Sequence, residues 1–471
     1  MKNDAANRLG TEKVSKLLVK FSIPAITGMV VNALYNFVDR IFVGHAVNEL
    51  ALGGLSLVLP FLTIGMAFAM LFGIGTANMI SMRLGQGRKP EAENALTHCF
   101  LLLTGAGILM TIFGLVFLDQ LMELVGPNEN SESLYYAKEY FRITLYGTVF
   151  FLISFGLSHC TRAQGFPAVT MKAMIMGAVL NIIFDAIFIL WFKWGVQGAA
   201  WATIIAQFCS TIYILKFILS KKAVVKLDIR HLKPDISIVR QIMAFGSAQA
   251  LLQFLFSITQ FLNIKSAGWY GEAALGVSNG GDIALSGLSI VGAISMLILM
   301  PVFGINQGAQ PILGYNYGAK NYHRVLRAYT GAITAATLIC IAGFFIVQLF
   351  PVQLVKLFAP DASPALMQFT PRAMRIIMMI LPLAGFQIVS TNFFVVTGRP
   401  KISVFLSMLR QCIILFPCIF LFGRFFGLWG VIAAAPFSDA LSFIITGVFI
   451  FFELRKLKQL LKQNDTKRAL D

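Results

Sequence analysis

The stretch SKKAVVKLDIRHLKPDISIVRQ, Ser220–Gln241, is the longest charged passage in a chain that is otherwise apolar. Of 471 residues, 57% are hydrophobic and 13% charged, and the mean hydropathy is +0.77. A water-soluble body of this length needs far more charge to cover its surface, so the chain reads as an all-α polytopic membrane protein. The charged passage divides it into two sets of six apolar runs. The first set lies near 17–43, 50–82, 91–117, 134–160, 168–193 and 198–220. The second lies near 239–267, 273–316, 321–349, 374–396, 402–422 and 427–453. The expected layout is a lead at 1–16, spans one to six over 17–220, a basic linker at 221–238, spans seven to twelve over 239–453 and a basic tail at 454–471.

The net charge is +17, but most of the 38 Lys and Arg fall at the termini and in alternate short segments between runs. That is the positive-inside pattern of cytoplasmic loops, with both termini inside and the chain in the cytoplasmic (inner) membrane. No basic stripe with interleaved aromatics points to nucleic acid; the bilayer is the expected partner, and a monomer the expected state. The six cysteines lie in apolar runs without metal-ligand spacing and read as small apolar side chains. No GxxxxGK[ST] loop, HExxH, nucleophile elbow or catalytic carboxylate pair occurs. Neither an ATP-driven pump nor an enzyme is indicated, and no cofactor is expected.

The two sets echo one another. GHAVNELALGGLS (44–56) matches GWYGEAALGVSN (268–279), GQGRK (85–89) matches NYGAK (316–320), and Gly165-Phe166-Pro167 matches Gly398-Arg399-Pro400. GVQGAAWATIIAQ (195–207) matches GLWGVIAAAPFSD (427–439). Their common order and similar offset indicate a repeat. Six is even, so both halves share one orientation, giving two six-helix lobes related by a pseudo-two-fold axis along the membrane normal, with a cavity between them.

Acidic side chains inside a span cost about 2.5–3.5 kcal/mol on insertion scales, so those retained there are functional candidates. Asn32, Asn36 and Asp39 share one face of the first span at i, i+4, i+7, and Asn181 and Asp185 share a face of the fifth. Thr203 and Gln207 reach the same depth on the sixth. Two carboxylates close together in low dielectric favour a shared proton or a bound cation. Asp39, Asn181, Asp185 and Thr203 are therefore expected to form a coupling site for H⁺ or Na⁺, supported by Asn32, Asn36 and Gln207. The competing reading pairs Asp39 with Arg40 and leaves Asp185 as a helix cap. The positions opposite Asp39 and Asp185 in the second half are Asn263 and Cys418, so the ion site belongs to the first half. There, Arg410 and Asp439 fall near mid-membrane and are expected to pair, because an unpaired charge is costly at that depth, as a structural pair or as part of the lining of the substrate path. Gln253, Gln260, Asp282, Asn306, Gln307, Gln387 and Asn392 are candidates for the substrate cavity.

SIPAITGMVVNALYNFVDRIFVGH (22–45), LGQG (84–87), RAQGFP (162–167) and GxxGAAxAT (195–203), in that order on a twelve-span repeat, resemble the multidrug and toxic compound extrusion (MATE) transporters, and among them the bacterial MepA-like group. The resemblance implies two lobes around a V-shaped cavity and antiport of cationic, amphipathic compounds against H⁺ or Na⁺. It also implies a cation site whose roles map onto Asp39, Asn181, Asp185 and Thr203. The related lipid-linked saccharide flippases offer an alternative, against which the cavity candidates include few basic groups to hold a pyrophosphate. A non-transporting membrane receptor explains twelve spans but neither the repeat nor the buried acids.

Overall fold

The computed structural model describes residues 4–46, 49–125, 132–228, 235–276, 280–360 and 363–470, and no strand occurs among them. The first half contains α1 (Asp4–Thr11), α2 (Val14–Ala46), α3 (Glu49–Gly85), α4 (Lys89–Val116), α5 (Leu118–Val125), α6 (Glu132–Ala163), α7 (Pro167–Asp185), a π-helical segment (Ala186–Trp191) and α8 (Gly195–Leu219). The second contains α9 (Ile236–Leu275), α10 (Gly280–Gly318), α11 (Tyr322–Leu349), α12 (Pro351–Phe358), α13 (Pro364–Ile377), α14 (Leu381–Val396) and α15 (Pro400–Met408). A second π segment (Leu409–Leu415) follows, then α16 (Phe416–Leu470). Helices prevail because hydrocarbon offers the backbone no partners, so every amide must bond within its own segment.

Ten helices among the described residues are long and apolar enough to cross a membrane. They are eleven when α13 and α14, bent by 47°, count as one broken span. The last of the ten, Pro400–Leu461, has 62 residues, about 93 Å or roughly three hydrocarbon thicknesses. Gly427 breaks it with φ 59° and ψ −142°, and each piece is long enough to cross. Divided there, it supplies the twelfth span.

The sequence echoes coincide with turns that need unusual backbone. Gly165 (φ 98°) and Gly398 (φ 79°) take the left-handed conformation, and two residues later Pro167 and Pro400 open α7 and α15. Gly195 (φ 57°) and Gly427 (φ 59°) repeat the device before the sixth and twelfth spans. Gly87 (φ 75°) has Lys320 (φ 56°) in the matching turn, where the second half accepts a strained non-glycine residue. Between spans three and four, where a loop is expected over 118–133, α5 buries Leu118 and Met122. Lys138 Nζ lies 2.7 Å from Asp119, holding that carboxyl below the usual carboxylate range.

The halves meet at the end that carries α1, the α3–α4 turn and the linker. There α2 packs on α10, and α3 packs on α9 and α10. The approach is so close that a Cβ at Gly75 would overlap the carbonyl of Ile242, and one at Gly246 the carbonyl of Leu71. Gly308 lies likewise on Ser22 and Gly304 on Ile26. These are the same two contacts made twice, since Leu71 and Gly75 on α3 correspond to Gly304 and Gly308 on α10. On the axis between them, Gly85 faces Tyr315 and Gly318 faces Met82. Hydrogen bonds span this junction too: Gln310 Nε2 donates to Asn78 Oδ1 at 2.6 Å with both side chains buried, Arg83 Nη2 to Gln241 Oε1 at 3.3 Å, and Asn316 Nδ2 to the Leu9 carbonyl at 2.9 Å. The linker is fastened to the first half. Gln164 Oε1 accepts from the Val225 amide (2.9 Å), Thr97 Oγ1 from the Asp228 amide (3.1 Å), and His98 Nε2 from the Asp235 amide (2.8 Å).

Candidate cation and substrate site

Span five packs between α2 and α8, so the topology brings together the three helices that carry the expected cation residues. Asn181 and Asp185 lie on one face of α7, and both are fully buried. Asn181 Nδ2 donates to Thr203 Oγ1 on α8 at 3.3 Å. Its carbonyl oxygen, also buried, has no hydrogen-bond partner among the described residues. Asp185 stands where α7 passes into the π segment, a local widening of the helix that recurs at functional sites. Gln207, one turn beyond Thr203, sits near Gly147 of α6 and so supports the helix packing around the site. α2 also contacts the π segment, which places the helix of Asp39 beside Asp185. The side chains of Asn32, Asn36, Asp39, Gln260 and Asp282 lie outside the described residues.

Chemically, the described part of this site offers a carboxylate, an uncommitted amide oxygen and a hydroxyl in a buried setting. Such hard oxygen donors suit a Na⁺ ion, and a buried carboxylate alternatively gains stability by taking a proton. Among the described residues no group of three or more His, Cys, Asp or Glu is placed to hold a metal ion.

The cavity candidates separate into two kinds. Gln253 Nε2 on α9 lies 3.9 Å from Met66 Sδ on α3, and Gln307 Nε2 on α10 lies 3.7 Å from Met29 Sδ on α2. Both therefore bridge the halves above the junction. Asn306 Oδ1 accepts from Asn392 Nδ2 at 3.0 Å, and Gln387 Nε2 reaches Thr446 Oγ1 at 3.5 Å. Gln387 and Asn392 are buried in the interior of the second half. α14 packs against α10, α11 and α16, and these two amides bond to the first and last of those neighbours. Arg410 Nε donates to Asp439 Oδ1 at 2.7 Å, with the two side chains 28% and 33% exposed. Ser438 Oγ also donates to the Arg410 carbonyl, at 2.6 Å.

Two polar pairs escaped the sequence reading. Asn78 and Gln310 were findable, because they stand 232 residues apart, within the spread of the repeat. Tyr329 Oη and Ser390 Oγ, 2.8 Å apart and buried between α11 and α14, carry no sequence signal beyond their residue types.

Comparison with known proteins adds the following. The MatE family model matches residues 24–187 and 250–421. The multidrug export protein MepA of Staphylococcus haemolyticus (strain JCSC1435) is 24% identical over 465 residues, covering 97% of each chain. MepA of Staphylococcus aureus (strain NCTC 8325 / PS 47) is 25% identical over 458 residues, covering 96% of each. Among solved structures, a multidrug resistance MATE family transporter of the MOP superfamily in an outward-facing conformation superposes with a TM-score of 0.88 at 26% identity, covering 96% of this chain and 98% of that one. A MOP superfamily transporter from Pyrococcus furiosus, for which a binding pocket of reversed polarity suggests a different function, superposes with a TM-score of 0.87 at 26% identity, covering 96% and 98%.

Proposed function

The chain belongs to the MatE family, and from that premise we propose that it is a secondary antiporter of the cell's cytoplasmic membrane, exporting cationic or amphipathic compounds in exchange for H⁺ or Na⁺. The observation that carries this reading is the buried Asn181–Thr203 couple with its uncommitted amide oxygen, on the same helix face as Asp185 and beside the helix of Asp39. A buried acid among oxygen donors binds a cation or proton with an affinity set by how dry and how close the group is held. The two arrangements of the lobes hold it differently, and that difference couples ion to substrate. The junction at the linker end, closed by backbone contact, supports alternating access, because it has to part for the cavity to open on that side. Both termini lie in the cytoplasm in this reading.

Efflux of a fluorescent cation from everted vesicles, driven separately by a proton and a sodium gradient, tests transport and names the ion. One gradient is expected to drive net export in the native protein and neither in Asp39→Asn or Asp185→Asn. The double variant is expected to be little worse than either, since both act on one site. Full gradient-driven export by well-expressed Asp39→Asn and Asp185→Asn proteins would remove the ion site from the first half.

A further inference from the structure

Where α3 crosses α9, a groove of about 520 Å³ is walled by Leu71 on one side and by Ile236, Val239, Arg240, Met243, Ala244 and Ser247 on the other. The α9 residues recur at three- and four-residue spacing and so form one stripe along the first three turns of the helix. Met243, a turn inside Arg240, is 45% exposed on a helix apolar enough to cross a membrane, so hydrocarbon is what faces it, while Ile236 (82% exposed) lies a turn further out at headgroup level. Arg240 is exposed at the mouth, about one turn from the start of α9, the depth of lipid phosphates. Among the described residues it has no ion-pair partner. Nearby Arg83, bonded to the neighbouring Gln241, is already engaged by Glu91 at 3.0 Å.

The pseudo-symmetric crossing of α2 and α10 lacks the facing wall. The counterpart of Leu71 is Gly304, which gives no wall. Gly246 N beside Gly75 corresponds to Ser22 N beside Gly308, the same offset that sets Asn263 opposite Asp39, so Lys16 falls opposite Arg240 and Lys20, 3.6 Å from Glu12, opposite Ala244. The α3–α9 crossing thus combines a guanidinium with apolar walls from both halves, whereas at the α2–α10 crossing α2 exposes Val19 and Ile23 but α10 offers no wall.

We propose that this groove binds one anionic phospholipid, with an acyl chain along Leu71, Val239, Met243 and Ser247 and its phosphate on Arg240. The two walls belong to different halves, so the site is whole only while α3 and α9 cross as they do here. A lipid held there favours the closed junction by its differential affinity for that arrangement. The test is lipid retention by the purified full chain in native mass spectrometry, after exchange from vesicles of phosphatidylcholine or phosphatidylglycerol with identical acyl chains. This readout is independent of transport, so the site stands or falls separately from the export reading. Retention of phosphatidylglycerol over phosphatidylcholine is expected at about fivefold, the effect of one basic side chain at an anionic surface. Arg240→Gln should abolish that preference, Ala244→Trp should reduce retention of both lipids by filling the groove, and Lys16→Gln, at the pseudo-equivalent position, should change nothing. Should Ala244→Trp fold poorly, Arg240→Gln decides alone, since that side chain is exposed. Equal retention of the two lipids by the native chain, or a preference that survives Arg240→Gln, overturns the proposal.

Discussion

A guanidinium and a carboxylate at mid-membrane depth stabilise one another only while both are present. Removing either Arg410 or Asp439 leaves the other charge without its partner, and removing both leaves none. Because each is about 30% exposed, the single losses fall between surface and buried values, at about 1–3 kcal/mol. Arg410→Met and Asp439→Leu should each lower the yield of folded protein and its thermal midpoint in detergent, and the double variant should recover most of both. A double variant as poor as the summed singles would show that the contact contributes nothing to stability. This pair was readable in advance because hydrocarbon penalises lone charges and leaves few ways to place two of them. The amides were not so readable. Gln387 and Asn392 have the composition of cavity-lining groups, yet they bond inside the second half, and helical spacing alone does not separate a lobe's interior from its open face.

The junction helices depend on the absence of side chains. At Gly75, Gly246, Gly85 and Gly318 a methyl group would meet backbone across the interface, so the two helices have to separate rather than repack. Gly75→Ala and Gly246→Ala should therefore push the lobes apart at the linker end while leaving each lobe folded. Asn78→Ala, which removes the acceptor of Gln310, should do so more mildly, by about 1 kcal/mol or roughly a fivefold change in the closed population. Cross-linking between cysteines introduced at Met66 and Gln253, whose side chains meet at 3.9 Å across the halves, reports this, and unchanged rates in all three variants would mean that the contact does not set the closed state. Gly75 and Gly246 did not stand out in the sequence, because glycine is frequent throughout membrane helices, whereas Gly85 and Gly318 lie in the echoed GQGRK and NYGAK turns. The turn glycines did stand out: Gly165, Gly195, Gly398 and Gly427 sit in the echoes because the chain needs positive φ there in both copies.

The division into two halves was legible from charge placement and from echoes, both imposed by the bilayer. The contact that joins the halves was legible only in part, since it is made by atoms that glycine lacks and by an amide pair that looks ordinary in each copy. Nothing in the sequence marks His98, Thr97 and Gln164 for this role, yet they bind the linker to the first half up to Asp235, the cap of α9. α9 is 40 residues long, about 60 Å of continuous helix anchored at one extremity. Mechanically it is a lever with its fulcrum at the linker. A swing of about 10°, comparable to the interface rotations of allosteric proteins, leaves the anchored turn almost still and carries the opposite tip some 10 Å. Spin labels near Ser237 and Lys89 should accordingly keep one distance throughout turnover. Labels at Trp269 and Phe192 should show two.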